Sequence, residues 1–311
     1  MYPKITIIIP AYKEEDVILD TLNHLVNEVK YPRKEIIVGI DTTDDKTYKI
    51  TREFQAKNKK KNIIIDFSHR RRGILKVTNS MVSKSSGSII VRLDSEGRFL
   101  NSKKALFNLA KHFNSKEIGA VTFKVVFPLS FYKNQNLQFI GEISSAKLVT
   151  DWRDDNLQSP VSSIPSNYVL GCHAFKKNLF EKFNKNDSIC DEIEITNKII
   201  KKGYKVKLVN DIYYYTIAPS TSGYFTFLQK RRSAFGLFHM SKNWKISLPR
   251  YYFSLGLYFL RNLKKYRLVE ITSIIYLLIL FTIAHLDAFL KHKINFKKEI
   301  WIRYPRKLVY E

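Results

Sequence analysis

Two carboxylates within residues 88–99 have the spacing expected of a cation site. Asp94 and Glu96 follow an apolar run that predicts a buried strand, and Gly97 comes directly after them. Side chains at positions i and i+2 of a strand share a face, so both carboxylates could reach one hard cation beyond the end of the strand. Acidic residues are also common in solvated loops at strand ends, so the pair alone leaves both interpretations open.

A second acidic cluster lies in the C-terminal half of the chain. Asp191, Glu192 and Glu194 open a segment with apolar residues at helical spacing. In the first turn of a helix the dipole favours an ionised Glu192, while its two acidic neighbours act in the opposite direction. An ionised carboxylate can serve as a general base towards a hydroxyl. Acidic residues are also enriched at helix starts that have no catalytic role, which is the alternative interpretation.

Composition indicates which binding partners and which cellular compartment to expect. The 311 residues, 45% of them hydrophobic, can bury one large core or two. Lys and Arg number 53 against 28 Asp and Glu, a net charge of +25 that favours phosphorylated partners such as nucleic acid, an anionic bilayer or phosphate-bearing small molecules. Cys172 and Cys190 show no metal-binding or disulfide spacing and suggest a reducing compartment.

Strand and helix patterns alternate through the first hundred residues. Strands are predicted at 5–9, 35–40, 62–67 and 89–93, and helices from residue 14, at 48–56 and at 74–83. Such alternation predicts a parallel sheet with right-handed crossovers, in which ligands bind beyond the carboxyl ends of the strands. Asp41, the basic turn at 70–72, and the Asp94 and Glu96 pair all fall at those ends. We therefore expect them to line one crevice.

Several short motifs between residues 5 and 240 resemble those of the inverting glycosyltransferases of family 2. The set comprises IIIPAYKEE, residues 41–47, Gly73 with Asn79, LDSEGRF, residues 168–177, residues 191–196 followed by GYKV, and QKRRSAFG. Each motif alone is weak, whereas the ordered set is a strong signal. The resemblance implies a GT-A fold, an α/β architecture with a mostly parallel sheet flanked by helices, in a catalytic domain at residues 1–245.

Several positions depart from the family pattern, among them the Asp191 and Glu192 pair, which is inverted relative to the usual Glu-Asp order. Lys13 stands where asparagine is common, and Glu96 replaces the second aspartate of the DxD motif. Ile74 stands where a lysine often follows the glycine, and Ser233 replaces the tryptophan of the QxxRW motif. The departures at Glu96, Ile74 and Ser233 keep open a degenerate transferase that binds a nucleotide sugar without turning it over.

The resemblance also implies roles for individual residues. Transfer from a nucleotide-diphosphate sugar releases a pyrophosphate group, whose growing charge a divalent metal and an arginine stabilise. The metal, Mg²⁺ or Mn²⁺, would be held by Asp94 and Glu96. The acceptor hydroxyl would lose its proton to Glu192, with Asp191 as the reserve candidate. The implied donor-binding positions are Pro10, Tyr12, Glu14, Asp41, Arg72, Gly73, Asp94, Gln229 and Arg232, and the implied acceptor-side positions are Gly171 and His173.

The last quarter of the chain, residues 246–311, is predicted to be a membrane-associated helical segment. Apolar runs occur at 251–260 and 271–286, and basic residues crowd both of their sides. At ~1.5 Å per residue the first run is too short to cross a ~30 Å hydrocarbon core and the second is marginal. The pattern favours helices lying in the cytoplasmic leaflet against anionic lipid, with the catalytic domain in the cytoplasm. A single crossing and a helical cap on the catalytic domain are the alternatives.

The acceptor and the function class follow from these features. One or two apolar segments are too few for a polymer channel, so a lipid-linked or other saccharide acceptor is expected. With a polyprenyl phosphate as acceptor the nucleophile is already ionised and no general base is needed. The alternative from another class is a basic RNA-binding protein. The sequence shows no RNP, KH or zinc-knuckle pattern, so we expect no nucleic-acid partner.

Overall fold

A computed structural model describes residues 2–41, 44–126, 161–162, 173–216 and 248–293, with single positions and short pieces between 140 and 152 and between 227 and 244. Contacts divide the chain into two compact units. The first comprises Met1–Val126, Pro160–Pro165 and Leu170–Ile217, and the second comprises the remaining residues.

The first unit alternates strands and helices through its first half. In chain order its elements are β1 (Ile5–Ala11), α1 (Ile18–Asn23) continued by a π-helical turn (His24–Glu28), β2 (Lys34–Ile40), α2 (Thr47–Lys57), β3 (Ile63–Phe67), α3 (Ile74–Lys84), β4 (Ile89–Arg92) and β5 (Gly97–Phe99). They are followed by α4 (Ser102–His112), β6 (Ile118–Val125), β7 (Val161–Ser162), β8 (Ala174–Lys176), α5 (Asp191–Lys201) and β9 (Lys205–Thr216).

These strands form one mixed sheet. Its order is β3-β2-β1-β4-β8-β6-β9-β5, with β7 paired to β9. The first four strands in that order are parallel, β8 runs antiparallel to both β4 and β6, and β6 is parallel to β9. The α/β fold with flanking helices therefore agrees with the prediction, and the carboxyl ends of β1 to β4 share one edge of the sheet.

Strand β1 is buried on both faces of the sheet. Ile7 and Ile9 belong to one hydrophobic cluster, together with Leu22 of α1, whereas the intervening Ile8 belongs to a second cluster with Met81 of α3. Side chains alternate between faces along a strand, so helices cover both sides of the sheet. This explains why the strand reads as a continuous run of isoleucine rather than as an alternating pattern.

The sequence placed the end of β1 slightly too early. We expected Pro10 to terminate the strand, but β1 continues through Pro10 to Ala11. Pairing with β4 stops at Ile8, and Pro10 is matched only with Gly39 on the β2 side. The proline therefore lies beyond the last β4 partner, where its missing N–H interrupts no ladder on that side.

The second unit contains two long helices among its described residues. They are α6 (Leu248–Arg261) and α7 (Leu268–Lys293). Phe259 of α6, Tyr266 of the connecting turn and Ile274 of α7 pack together. The segment Leu268–Leu290 is 23 residues long with a mean hydropathy of 2.0, enough to cross a membrane by length and composition alone. The helix is longer than the predicted apolar run because it includes acidic residues at both ends of that run.

Candidate active site

Arg92 joins the carboxyl end of β4 to the first turn of α5. Its Nη1 donates to Asp94 Oδ1 at 2.5 Å and to Glu192 Oε1 at 2.6 Å, and its Nε donates to Asp191 Oδ2 at 3.2 Å. The Arg92 side chain is only 7% exposed. One buried guanidinium thus binds three carboxylates, which we call the carboxylate cluster.

Local structure fixes both sides of this cluster. The backbone N–H of Arg92 donates to the carbonyl of His173 at 2.8 Å, which extends the pairing of β4 with β8 by one step. On the helix side, the Cys190 carbonyl accepts hydrogen bonds from the N–H groups of Ile193 and Glu194. Helix α5 therefore begins at Asp191, and its first two side chains meet the end of β4.

Tyr214 of β9 is a further contact of the cluster. Its hydroxyl donates to Asp94 Oδ2 at 3.2 Å. A Cβ at Gly97 would lie 2.5 Å from Cε2 and 2.6 Å from the hydroxyl of Tyr214, well inside van der Waals contact. A side chain at position 97 would therefore displace the Tyr214 ring from its contact with Asp94. The space needed by the Tyr214 ring thus explains the glycine that follows Glu96.

Charge and burial shift the pKa values of the cluster in different directions. Burial by itself raises the pKa of Asp94, but the charge of Arg92 and hydrogen bonds from Arg92 and Tyr214 outweigh it and lower that pKa. Burial and then the charges of Asp94 and Glu96 raise the pKa of the Tyr214 hydroxyl well above its usual value. Asp94 is therefore ionised, and Tyr214 is a neutral hydrogen-bond donor at neutral pH.

The two acidic residues at the start of α5 differ in accessibility. The Glu192 side chain is 28% exposed, whereas that of Asp191 is 7% exposed. Asp94 is 41% exposed, so the open side of the cluster presents Asp94 and Glu192. Glu96 lies on the loop between β4 and β5, half-buried, and accepts a hydrogen bond from the Ser95 hydroxyl at 3.2 Å.

Asp41, at the end of β2, is held by the start of α3. Its carboxylate accepts the backbone N–H groups of Arg72 and Gly73 at 2.7 Å and also Arg72 Nε at 3.1 Å. The Arg72 guanidinium continues to the buried Asp66 of β3, with 3.2 Å between Nη1 and Oδ2. The predicted donor-binding residues Asp41, Arg72 and Gly73 thus form one hydrogen-bonded unit at the carboxyl ends of β2 and β3.

The loop after β1 carries two more of the predicted donor-binding residues. Glu14 is buried, and its backbone N–H donates to the Thr47 hydroxyl at 2.8 Å. The Arg71 guanidinium lies over the ring of Tyr12, 4.5 Å from its centroid. Lys13 has φ +58°, a left-handed conformation that asparagine adopts more readily than lysine. This backbone requirement explains the asparagine that commonly occupies the position.

His173 lies on the β8 side of the cluster. Its Nδ1 accepts the Phe123 N–H at 3.2 Å, so the remaining ring proton is on Nε2 in the neutral form. The ring stacks on Phe123 with 4.9 Å between centroids and is 5.2 Å from the ring of Tyr214. Gly171 and Gln229 lie outside the described residues. Arg232 belongs to the second unit, so its role stays a prediction from the resemblance.

Comparisons with known proteins identify the family and the fold. The sequence model of the family described as Glycosyl transferase family 2 matches residues 6–167, which is more than half of the chain. The chain belongs to glycosyl transferase family 2. It is therefore a family 2 glycosyltransferase, as the motif resemblance indicated.

Curated relatives of this family 2 chain are distant. Poly-beta-1,6-N-acetyl-D-glucosamine synthase of Staphylococcus aureus strain MSSA476 is 26% identical over 223 residues, covering 70% of this chain and 51% of the relative. The probable glycosyltransferase YdaM of Bacillus subtilis strain 168 is 27% identical over 216 residues, covering 66% and 48%. The chain thus spans about half the length of the relatives it matches.

A solved structure shares the fold. The mannosyltransferase PcManGT from Pyrobaculum calidifontis, in complex with GDP-Man and Mn²⁺, superposes with a TM-score of 0.64 at 17% identity. The match covers 96% of this chain and 89% of the other chain. At this identity the likeness supports the GT-A fold and carries no residue roles.

Sequence reasoning missed Arg92 and Tyr214. Arg92 carried a usable signal, because a lone cation in an otherwise apolar strand, two residues before Asp94, occupies the same face as that acid. A buried arginine requires acidic partners. Tyr214 carried none, since its contact with Asp94 depends on the pairing of β5 with β9, which joins segments more than a hundred residues apart.

A double-mutant cycle tests whether Arg92 and Glu192 are coupled. We expect Arg92→Met to lower the free energy of unfolding at pH 7 by ~3–5 kcal/mol, because buried carboxylates lose their counter-charge. Adding Glu192→Gln removes one of those charges, so the double variant should be at least ~1 kcal/mol more stable than additivity predicts. Urea unfolding followed by circular dichroism measures both values.

Arg98 supplies the matched control for this cycle. It is also buried, but its guanidinium donates to the neutral oxygens of Thr21 and Gly97. Arg98→Met combined with Glu192→Gln should therefore be additive within ~0.5 kcal/mol. Additivity in the Arg92 pair as well would contradict the bridge between β4 and α5.

Proposed function

We propose that this chain is a membrane-associated inverting glycosyltransferase that moves a sugar from a nucleotide-diphosphate donor to an acceptor hydroxyl. The observation that carries the proposal is the shared nitrogen of Arg92, which holds Asp94 of the donor-side motif and Glu192 of the helix start within hydrogen-bond distance of one atom. Displacement with inversion needs a leaving-group site and one base, and these two acids supply one each.

Asp94 of the carboxylate cluster and Glu96 of the following loop offer two carboxylates to a divalent metal that the donor would help to bind. Three carboxylates around one guanidinium leave an excess negative charge, and Asp94 faces the open side. Among the described residues, no group of three or more His, Cys, Asp or Glu could hold a metal ion. Mg²⁺ commonly uses one or two carboxylates and completes its shell with substrate phosphates and water. Asp94 and Glu96 would hold the metal, which supplies charge stabilisation to the departing diphosphate.

Glu192 is the better candidate for the general base. The acceptor hydroxyl must come within about 2.6–3.2 Å of the base, and the half-buried Glu192 is accessible, whereas Asp191 is covered. Arg92 Nη1 orients the Glu192 carboxylate through Oε1. We assign Arg92 and Asp191 a positioning role, because they fix where the base stands. Tyr214 donates to Asp94 and keeps that carboxylate facing the donor side.

The donor side contains further residues that the family resemblance implies as donor-binding. Asp41 and Arg72 form one hydrogen-bonded unit at the carboxyl ends of β2 and β3, where nucleotides bind in open α/β sheets. Tyr12 under the Arg71 guanidinium adds a flat surface to the same edge. We propose that the nucleoside binds here. The relatives suggest N-acetylglucosamine or mannose as sugars to test first, and a saccharide, lipid-linked or not, as acceptor.

Membrane attachment is proposed through α7. Large apolar side chains are exposed along its length, including Ile279 at 56% and Ile283 at 50%. Lys264, Lys265 and Arg267 precede the helix, as expected for a segment beside anionic headgroups. We propose that this helix attaches the chain to the membrane and that the catalytic unit is cytoplasmic.

Donor turnover tests the assignment of the base. Detergent-purified protein is incubated with Mn²⁺ or Mg²⁺ and a panel of UDP-, GDP- and dTDP-sugars, and released nucleotide is measured with and without saccharide acceptors. We expect Glu192→Gln to lower kcat by ~10²–10⁴, the usual contribution of a general base. Glu117→Gln, which alters an exposed glutamate paired with Lys205, is the control and should change kcat by less than ~2-fold.

Other outcomes of this assay separate the alternatives. Full turnover by Glu192→Gln together with loss of turnover in Asp94→Asn would contradict the base and favour a polyprenyl phosphate acceptor. Donor binding without turnover by the unaltered protein would indicate a catalytically inactive nucleotide-sugar-binding protein. RNA affinity that falls steeply with salt, with no donor turnover, would indicate the RNA-binding alternative.

Substitutions on α7 test membrane attachment. The unaltered chain should remain with the membrane fraction after carbonate extraction. Ile279→Lys with Ile283→Lys places two charges on the exposed apolar face, at a cost of ~2.5–3.5 kcal/mol each in a bilayer centre, and should move the protein to the supernatant. Ile279→Leu with Ile283→Leu keeps the apolar surface and should remain in the pellet. An unaltered chain found in the supernatant would contradict attachment.

A further inference from the structure

A cavity of about 570 Å³ opens at the edge of the sheet opposite to the carboxylate cluster. Its walls come from Lys4 directly before β1, from the end of the π-helical turn and the residues that join it to β2, from the first residues of β2, and from the turn before β3. Because β1, β2 and β3 are parallel, their amino ends share this edge, whereas Asp41 follows a carboxyl end. This amino-edge cavity is therefore separate from the candidate active site.

The lining of the amino-edge cavity is strongly basic. None of the twelve described residues that form it is acidic. Lys4 pairs with the buried Glu35, with 3.2 Å between Nζ and Oε2. Within the part of the chain that the structure describes, the other cations have no carboxylate partner in ion-pair range. The six cations are Lys4, Lys30, Arg33, Lys34, Lys60 and Lys61.

The pKa of Lys34 is sensitive to the positive charge of its neighbours in the amino-edge cavity. Its half-buried ammonium donates hydrogen bonds to the carbonyl oxygens of Leu25 and Val29. Burial, and then the charges of Lys61 and Lys30, lower the pKa of Lys34 to about 8. A bound anion would act in the opposite direction, because a nearby negative charge favours the ammonium form.

We propose that the amino-edge cavity binds an anionic phosphate group, carried either by a soluble diphosphate or by an anionic lipid headgroup. Its volume lies within the ~300–1,000 Å³ typical of small-ligand sites, so there is room for more than a single phosphate. Lysine ammonium groups and the planar arginine fork are the side chains that bind phosphate oxygens. The site does not depend on the transferase reaction.

Arg33 is already positioned to bind phosphate oxygens. Arg33 Nη1 donates to the Tyr2 carbonyl at 3.0 Å, which fixes one side of the guanidinium. A guanidinium has five N–H donors, so others stay available to a ligand. The side-chain ammonium of Lys30 is held by the Asn27 carbonyl. Tyr31, whose hydroxyl donates to the Pro3 carbonyl at 2.8 Å, adds an aromatic wall.

Calorimetry on the full chain in detergent tests the proposal with two probes. One is inorganic pyrophosphate, and the other is dihexanoyl phosphatidylglycerol below its micelle concentration, with dihexanoyl phosphatidylcholine as the zwitterionic reference. EDTA is present throughout, so metal-dependent binding at the carboxylate cluster does not contribute. Binding of pyrophosphate alone would identify a soluble ligand, and binding of phosphatidylglycerol would identify a lipid headgroup.

The cavity variant combines Lys30→Gln, Arg33→Gln and Lys61→Gln. We expect it to weaken binding of the active probe by at least ~10-fold, since three charge-assisted contacts are lost. It leaves the half-buried Lys34 in place, so the hydrogen bonds of that lysine to the backbone are retained.

A charge-matched control removes the same number of positive charges from the exposed face of α4. Lys103→Gln, Lys104→Gln and Lys111→Gln alter exposed lysines of α4 and should change the affinity by less than ~2-fold. Equal weakening in both variants would show a net-charge effect and overturn the proposal. Absence of binding of both probes to the unaltered chain would overturn it as well.

A second measurement does not depend on the folding of a variant. Carbon-13 NMR of the lysine side chains follows Lys34, whose pKa is lowered by burial and then by the charges of Lys61 and Lys30. Tyr31, whose own pKa burial raises, lines the same cavity. We expect saturation with the active probe to raise the pKa of Lys34 above about 8. An unchanged pKa under saturation would place the bound anion elsewhere and overturn the proposal.

Discussion

The bridge that Arg92 forms between β4 and α5 is the interaction on which the site depends. A guanidinium buried to this degree is stable only because three carboxylates surround it, and these carboxylates could not lie so close together without it. The arginine therefore sets the separation of the two acids to which we assign different tasks. In the proposed mechanism Asp94 serves the donor and Glu192 the acceptor, and both carboxylates are hydrogen-bonded to one nitrogen of Arg92.

Much of the fold could be predicted from local pattern. Strands such as β1 and β2 are buried on both faces and read as uninterrupted β-branched runs, and each is followed by a helix of ordinary length. Parallel order and the position of Asp41 at a strand end follow from this alternation alone. The boundaries shifted by a few residues where a proline or a turn made the pattern ambiguous, as at Pro10.

The parts that could not be predicted depend on contacts between distant segments. The meeting of Asp94 with the start of α5 requires the antiparallel insertion of β8 between β4 and β6, for which no short pattern codes. Tyr214 reaches Asp94 only because β9 pairs with β5 and because Gly97 leaves room for its ring. The amino-edge cavity combines residues that lie before β1, around the start of β2 and before β3, three segments that are separate in the sequence. By contrast, the departures of Lys13 and Glu96 from the family motif could be recognised from the sequence, because each concerns a single position.

A crystal structure of the chain with Mn²⁺ and the nucleoside diphosphate of its preferred donor tests the central claim most directly. We predict that the diphosphate lies beside Asp94, with the Arg92 bridge to Glu192 intact and the open side of Glu192 facing the position of the sugar. A diphosphate bound only away from Asp94, with Glu192 turned from it, would contradict the account.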